Sequence, residues 1–209
     1  MRIEVIDLGQ ATYAEAYAIQ QQRLEQVVEG AQPSALFLVE HPPVLTLGAN
    51  FHEENLLLSP DEYRARGIDV VRTDRGGDVT YHGPGQLVAY PIVNLAERGK
   101  DLHQYLRDLE EVVIWALNEY ELDGYRFPPN TGVWVNQRKI CAIGIKVRRW
   151  VSMHGLALNC DVDLEPFGLI VPCGIRGHGV TSLTAEGCLG ATVSDAKTVL
   201  AEGFARHFA

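Results

Sequence analysis

The sequence predicts an α/β fold, and three features carry that prediction. Two stretches, at 13–29 and 102–120, repeat apolar residues near the 3.6-residue spacing of an amphipathic helix. Several short runs rich in Val, Ile, Leu and Tyr are bounded by Gly, Pro and Asn. No linker or internal repeat interrupts the 209 residues, a length that fills one substantial core and would cramp a second, so residues 1–209 are expected to form a single domain.

Thr12 and Glu15 form a capping box before a helix predicted from Tyr13 to Glu29, with Tyr17, Leu24, Val27 and Val28 on its buried side and Gly30 as its stop. Ala35–Val39 and Val44–Leu47 read as strands separated by the rigid His41-Pro42-Pro43 corner, because two prolines prevent one continuous strand. Ile68–Arg72 is the next strand. A glycine-rich segment follows, and then Gln86–Val93, whose Pro91 points to a sheet edge or an irregular strand end. Asp101 with Gln104 starts the second long helix, on which Leu102, Leu106, Leu109, Val113, Ala116, Leu117 and Tyr120 recur near helical spacing. After the Phe127-Pro128-Pro129-Asn130 breaker, Gly132–Asn136, Lys139–Val147 and Ser152–Asn159 read as an antiparallel meander, since their connections are too short for crossover helices. Ser182 caps a short element, and Thr192 with Asp195 starts a terminal helix carrying Val199, Leu200 and Phe204.

Composition excludes several classes of protein. An apolar fraction of 46% with 22% charged residues is that of a folded chain and not of a disordered tail. No run of eighteen apolar residues exists and the N-terminus lacks the pattern of a secretory signal, so a cytoplasmic protein without a membrane span is expected. A net charge of −9 argues against nucleic-acid binding, which needs a positive field. The charge is unevenly spread: from Gly124 to Cys160 there is no Asp or Glu, while Arg126, Arg138, Lys146, Arg148 and Arg149 fall there and form a candidate rim for an acidic partner. Cys141, Cys160, Cys173 and Cys188 are too widely spaced for paired-thiolate zinc binding, and free thiols are the expected state in a cytoplasm.

Candidate chemistry concentrates in a few segments. Arg75 to Gln86 (RGGDVTYHGPGQ) combines glycines that admit close backbone approach with a stiffening proline and the polar side chains of Arg75, Tyr81 and His82. A binding or catalytic floor is the sharp reading, and a tight turn with a satisfied histidine the bland one. Cys173 in VPCGI reads either as a nucleophile, with Pro172 fixing the approach and Gly174 leaving the thiol accessible, or as an ordinary buried cysteine, since PCG alone is a weak motif. Lys139, opening KICAIG, can favour a nearby thiolate or accept its proton, although the residues alone do not separate it from Lys146. His154 beside Gly155 reads as an orienting or a purely structural histidine. His82, His154, Cys173 and His178 have no metal-site spacing, and no nucleotide fingerprint is present, so neither a metal nor a cofactor is expected.

Four segments in order, RGGDVTYHGPGQLVAYPI, GVWVNQRKICAIGIKV, SMHGLALNCDVDLEPF and IVPCGIRGHGVTSL, resemble the successive signatures of the lipoyl(octanoyl) transferase family over most of residues 36–184. The resemblance implies a mixed sheet flanked by helices, similar to the catalytic domain of lipoate and biotin protein ligases. It implies transfer of an octanoyl group from octanoyl-acyl carrier protein to a lysine of a lipoyl domain, on 2-oxoacid dehydrogenase acyltransferase subunits or on the glycine-cleavage H protein. It also assigns roles: Cys173 as the acyl-thioester nucleophile, and Lys139 as the residue that lowers its pKa and assists proton transfer. Three acyl-substrate segments follow from it, Arg75, Gly76, Gly77, Asp78, Val79, Thr80, Tyr81 and His82; Ala142, Ile143 and Gly144; and Gly155, Leu156 and Ala157. The competing readings are an ATP-dependent lipoate or biotin ligase and a non-catalytic binder of acylated carrier or lipoyl domains.

Overall fold

The computed structural model describes residues 3–171 and 178–208. Ten strands occur among them: β1 (Ile3–Gln10), β2 (Ser34–Glu40), β3 (Val44–Leu47), β4 (Asp69–Arg72), β5 (Val79–His82), β6 (Gln86–Ile92), β7 (Tyr125–Phe127), β8 (Asn130–Val135), β9 (Arg138–Arg148) and β10 (Val151–Asn159). The helices are α1 (Tyr13–Val28), α2 (Pro60–Ala65), α3 (Leu102–Asn118) and α4 (Val193–Phe208). Seven strands form a mixed sheet in the order β1-β2-β6-β10-β9-β8-β7, and a smaller sheet has the order β4-β3-β5. Only the pairs β1-β2 and β3-β4 are parallel among these ladders.

Period-two alternation sorts the large sheet into two apolar faces. Ala35, Phe37 and Val39 of β2, Val88 and Tyr90 of β6, and Met153 and Ala157 of β10 pack with Ala16, Leu24 and Val27 of α1. Leu36, Leu38, Leu87, Ala89, Leu156 and Leu158 point the other way, onto Leu109 and Val113 of α3 and Leu200 and Phe204 of α4. A third cluster lies under the small sheet, where Val79 and Tyr81 join Leu45, Leu47, Tyr63 and Phe167. The predicted capping boxes form as expected. Thr12 Oγ1 accepts from Glu15 N at 3.3 Å while the Glu15 carboxylate accepts from Thr12 N at 2.9 Å, and Thr192 Oγ1 accepts from Asp195 N at 3.3 Å.

Some expectations need correction. Pro91 does not mark an edge: β6 lies between β2 and β10. Its missing donor is tolerated because the β10-β6 backbone register stops at Leu156↔Ala89, and beyond it Ser152 Oγ donates to the Pro91 carbonyl at 2.7 Å. Tyr17 and Val28 are half-buried, and Leu102 is exposed; in α1 the buried positions are instead Tyr13, Ala16, Gln20, Leu24 and Val27. The glycine-rich segment is not all loop, since its middle, Val79–His82, is β5. The sequence reading also passed over β1, which is held by parallel pairing to β2, and α2, whose start carries a legible Ser59–Glu62 capping box with Pro60 inside it.

Candidate acyl-transfer site

The three predicted substrate segments arrive at one cleft from three directions. β9 brings Ala142, Ile143 and Gly144; its antiparallel neighbour β10 brings Gly155, Leu156 and Ala157; the glycine-rich segment brings Arg75, Gly76, Gly77, Thr80 and His82. The cleft is mainly apolar and is completed by Tyr13, Val88, Tyr90 and His154. Asp78, Val79 and Tyr81 do not line it. Val79 and Tyr81 face the third cluster because side chains alternate along β5. The Asp78 carboxylate turns away to accept from Val79 N (2.8 Å), His52 N (3.2 Å) and Asn55 Nδ2 (2.6 Å).

Glycine is required where backbones meet in this cleft. Gly76 N donates to Ile145 O at 2.9 Å, so the loop sits directly on β9; a Cβ at Gly144 would lie 2.8 Å from the Gly76 carbonyl oxygen. A Cβ at Gly155 would lie 2.2 Å from Ala89 O and 2.5 Å from Pro91 Cδ, a clash with backbone and ring that no side-chain rotation relieves.

Arg75, although in the predicted binding segment, acts inside the loop. Its guanidinium donates to Thr46 Oγ1 from Nε at 3.0 Å, to Asp78 O from Nη2 at 2.7 Å and to Gly76 O from Nη1 at 3.0 Å, clamping the turn to β3. His82 is similarly committed. Its Nδ1 donates to Gln86 Oε1 at 2.7 Å and its Nε2 accepts from Thr46 Oγ1 at 3.3 Å. Burial, with His41 adding to it, drives the His82 pKa down to about 3, so the ring is neutral near pH 7 and has both nitrogens occupied.

Lys139 sits at one end of the cleft. It is buried at the start of β9, donates from Nζ to Thr131 O at 3.1 Å, and its ammonium lies 5.1 Å from the Trp134 ring centroid. A second, small cavity is lined by Lys139 with Gln86, Asn159, Phe167 and Val180, and Thr80 and Ala142 line both it and the cleft. Lys139 N donates to Gly179 O at 3.0 Å and Lys139 O accepts from Thr181 N at 2.9 Å. Cys173 lies outside the described residues. The other thiols are poor nucleophiles: burial pushes Cys160 up to about 12 and Cys141 higher still, and raises half-buried Cys188.

The opposite end of the cleft holds a different set of groups. Lys146 is ion-paired with Asp74, which also accepts from His154 Nε2 at 2.7 Å and Tyr17 OH at 3.0 Å. Partial burial works against the Asp74 carboxylate, but the three donors together outweigh it and hold its pKa at about 2. His154 is kept below the ordinary histidine range by burial, which exceeds the opposing pull of Asp74. Its backbone adopts φ 56°, and its ring stacks on Tyr17 at 5.7 Å.

The candidate rim is largely engaged within the molecule. Arg126 pairs with Glu110 at 3.0 Å and Glu111 at 2.6 Å, Arg138 with Glu186 at 2.8 Å, and Arg148 with Glu25, while Arg149 is exposed at the β9-β10 turn. The acid-free stretch of sequence therefore meets acids from α1, α3 and the segment before α4. Residues the sequence reading missed include Tyr13, Tyr90, Thr46, Asp74 and His41, whose Nδ1 donates to Ala11 O at 2.7 Å and whose Nε2 accepts from Tyr90 OH at 2.8 Å. The His41-Pro-Pro corner was visible, but only the packing of β6 beside it reveals that the histidine backs the cleft. No helix among the described residues is long and apolar enough to cross a membrane.

The profile of the lipoyl protein ligase A/B catalytic domain family matches residues 12–205. The chain belongs to this family. Within the family, an octanoyltransferase of Syntrophotalea carbinolica is 52% identical over 181 residues, spanning 87% of this chain and 82% of its own. An octanoyltransferase of Solibacter usitatus is 47% identical over 202 residues, spanning 97% and 89%. Among solved structures, the bi-partite lipoate protein ligase of Thermoplasma acidophilum aligns with a TM-score of 0.78 at 17% identity, covering 99% of this chain and 84% of that one. The biotin protein ligase of Aquifex aeolicus aligns with a TM-score of 0.56 at 13% identity, covering 99% and 68%. At those identities the structural likeness establishes the fold, a mixed sheet flanked by helices, and nothing finer.

Proposed function

We propose that this chain transfers an octanoyl group from octanoyl-acyl carrier protein to the ε-amine of a lysine on a lipoyl domain, through a thioester on Cys173. An acyltransferase activity in protein lipoylation accords with family membership and with the 47–52% identity to octanoyltransferases. The observations that carry the site assignment are that residues of all three glycine-bearing segments line one apolar cleft, and that Thr80 and Ala142 of that cleft also line the space beside the buried Lys139. Burying a seven-carbon tail at ~0.8 kcal/mol per methylene contributes about 5–6 kcal/mol before binding costs. That is enough to anchor the donor by its tail while its thioester lies toward Lys139.

In the first half-reaction Cys173 attacks the thioester carbonyl as a thiolate favoured by the Lys139 ammonium, and the carrier's C–S bond breaks as its sulfur takes a proton from that ammonium, leaving a neutral Lys139 to receive the acceptor amine's proton in the second half. In the second half-reaction the neutral acceptor amine attacks octanoyl-Cys173; an amide forms, and the thiol returns. The donor is already activated, so ATP has no step to drive. His82, neutral with both ring nitrogens in use, shapes the wall and relays no proton to the reacting groups. Octanoyl-acyl carrier protein, the lipoyl domains of 2-oxoacid dehydrogenases and the glycine-cleavage H protein are the proposed partners, and residues 1–209 the proposed catalytic domain.

Incubation with octanoyl-carrier protein and no ATP should give a transient octanoyl mass on the enzyme, released by hydroxylamine and mapping to the Cys173 peptide, and a stable octanoyl mass on the acceptor. Product formation by Cys173→Ala would refute the thioester. A strict requirement for ATP and free octanoate would place the chain with the ligases instead.

A further inference from the structure

A file of buried polar side chains joins the acyl cleft to Lys139. Arg75 donates to Thr46 Oγ1, which donates to His82 Nε2; His82 Nδ1 donates to Gln86 Oε1. Gln86 Nε2 donates to Asn159 Oδ1 at 2.9 Å, and Asn159 Nδ2 donates to Thr181 O at 2.8 Å. Thr181 N then donates to Lys139 O at 2.9 Å. Gln86 is 2% exposed and Asn159 4%, and both line the Lys139 cavity. Amides this deeply buried persist only with their partners in place, and here the links run from β3 and β5 through β6 and β10 to the segment beside the lysine.

Asn159 occupies the decisive link. It is the last residue of β10, and it grips the Thr181 segment twice, through its side chain to Thr181 O and through its carbonyl, which accepts from Leu183 N at 3.0 Å. On its other side the same segment is bonded to Lys139, at Gly179 and at Thr181. The segment is thus clasped between β9 and β10 directly beside the lysine.

We propose that Asn159 is a positioning residue for acyl transfer: it fixes the Thr181 segment against Lys139, and Gln86 ties that clasp to the wall of the acyl cleft. The proposal rests on the transfer reading above and adds a role outside its reacting groups. Because Asn159 acts on the geometry of the chemical step and not on the tail, its loss lowers kcat while KM for the acyl donor holds.

The test uses the full chain with octanoyl pantetheine as donor and a lipoyl domain as acceptor. Asn159→Ala is expected to lower kcat by roughly 10- to 100-fold with KM for the donor within about threefold of wild type, and the near-ultraviolet circular dichroism unchanged. Gln86→Met leaves the Asn159–Thr181 bond and costs less, and the double variant loses no more than Asn159→Ala alone, since both act along one file. Should Asn159→Ala fail to fold, Asn159→Asp keeps the shape without the amide donor and is judged by the same split. A kcat within about threefold of wild type, a KM that rises in proportion to the loss, or multiplicative losses in the double variant overturns the proposal. An inert wild type overturns the transfer reading and the proposal together, whereas an active wild type with insensitive Asn159 variants overturns the proposal alone.

Discussion

Lys139 and Lys146 stand toward opposite ends of β9, and the difference between them separates the two ends of the cleft. Lys139 is buried, with its ammonium on a carbonyl oxygen and above Trp134, beside a small cavity that shares Thr80 and Ala142 with the cleft. Lys146 is part-exposed and held by Asp74, a carboxylate that also accepts from His154 and Tyr17. A lysine ion-paired to a carboxylate is poorly placed to serve a substrate, whereas Lys139 adjoins the cavity that shares Thr80 and Ala142 with the cleft. The Lys139 end is thus suited to chemistry and the Lys146 end to closing the cleft, a distinction made by surroundings and not by residue type.

The largest effect should come from exchanging the fates of these two lysines. Lys139→Ala is expected to slow enzyme acylation by roughly 10²-fold or more, and Lys146→Ala by less than about tenfold, as read by intact mass in single-turnover experiments. The reverse order would overturn the comparison. Lys139→Arg refines it, because a fixed charge without practical proton exchange should leave the acylation rate low.

At the closed end Tyr13 is the residue to truncate. It lines the cleft, its hydroxyl bonds Thr73 at 2.6 Å, and the β9-β10 register places His154, its other neighbour, on the side away from Lys139. Tyr13→Ala should lengthen the cleft and raise the decanoyl-to-octanoyl ratio of kcat/KM by about tenfold, the scale on which one or two methylenes are discriminated in an apolar pocket. Equal losses on both chain lengths would show that Tyr13 serves folding alone.

Acid should loosen the wall between the two ends. The folded His82 pKa is depressed, so the unfolded chain binds the extra proton below about 6.5 and stability falls as the pH drops from there toward about 3. That is a loss of about 2 kcal/mol by pH 5 at 1.36 kcal/mol per unit. Asp74, also depressed, keeps its contribution above the unfolded carboxylate range and loses it as the pH falls toward about 2. Urea midpoints at pH 7 and pH 5 measure the first change, and His82→Gln should flatten it; an unchanged slope in that variant would assign the acid sensitivity elsewhere.

The smallest effect is expected beyond the Lys146 end, at the β9-β10 turn. Arg148 is engaged by Glu25 and Arg149 is exposed, so replacing both with Ala should raise KM for octanoyl-carrier protein by about two- to threefold and flatten its salt dependence. The rate on a small octanoyl thioester should stay the same. A matching loss on the small donor would remove these residues from any docking role.

The sequence by itself determined what depends on local pattern. The capping boxes at Thr12 and Thr192, the apolar face of α3 and the β8-β9-β10 meander follow from near-neighbour spacing and short connections. The glycines of the three segments were legible too, because only glycine tolerates backbone contacts such as those at Gly144 and Gly155. Tertiary structure decided the rest. Pro91 could sit inside the sheet because the β10-β6 ladder ends before it and asks no donor of it. The basic stretch became mostly neutral because its acids come from distant helices. Asp74 gained its role from Lys146 and His154, 72 and 80 residues away, Gln86 from Asn159, 73 away, and Asn159 from Gln86 and from Thr181, 22 away. A side chain's proton affinity and hydrogen bonding are set by what surrounds it in space, and packing, not chain order, supplies those neighbours.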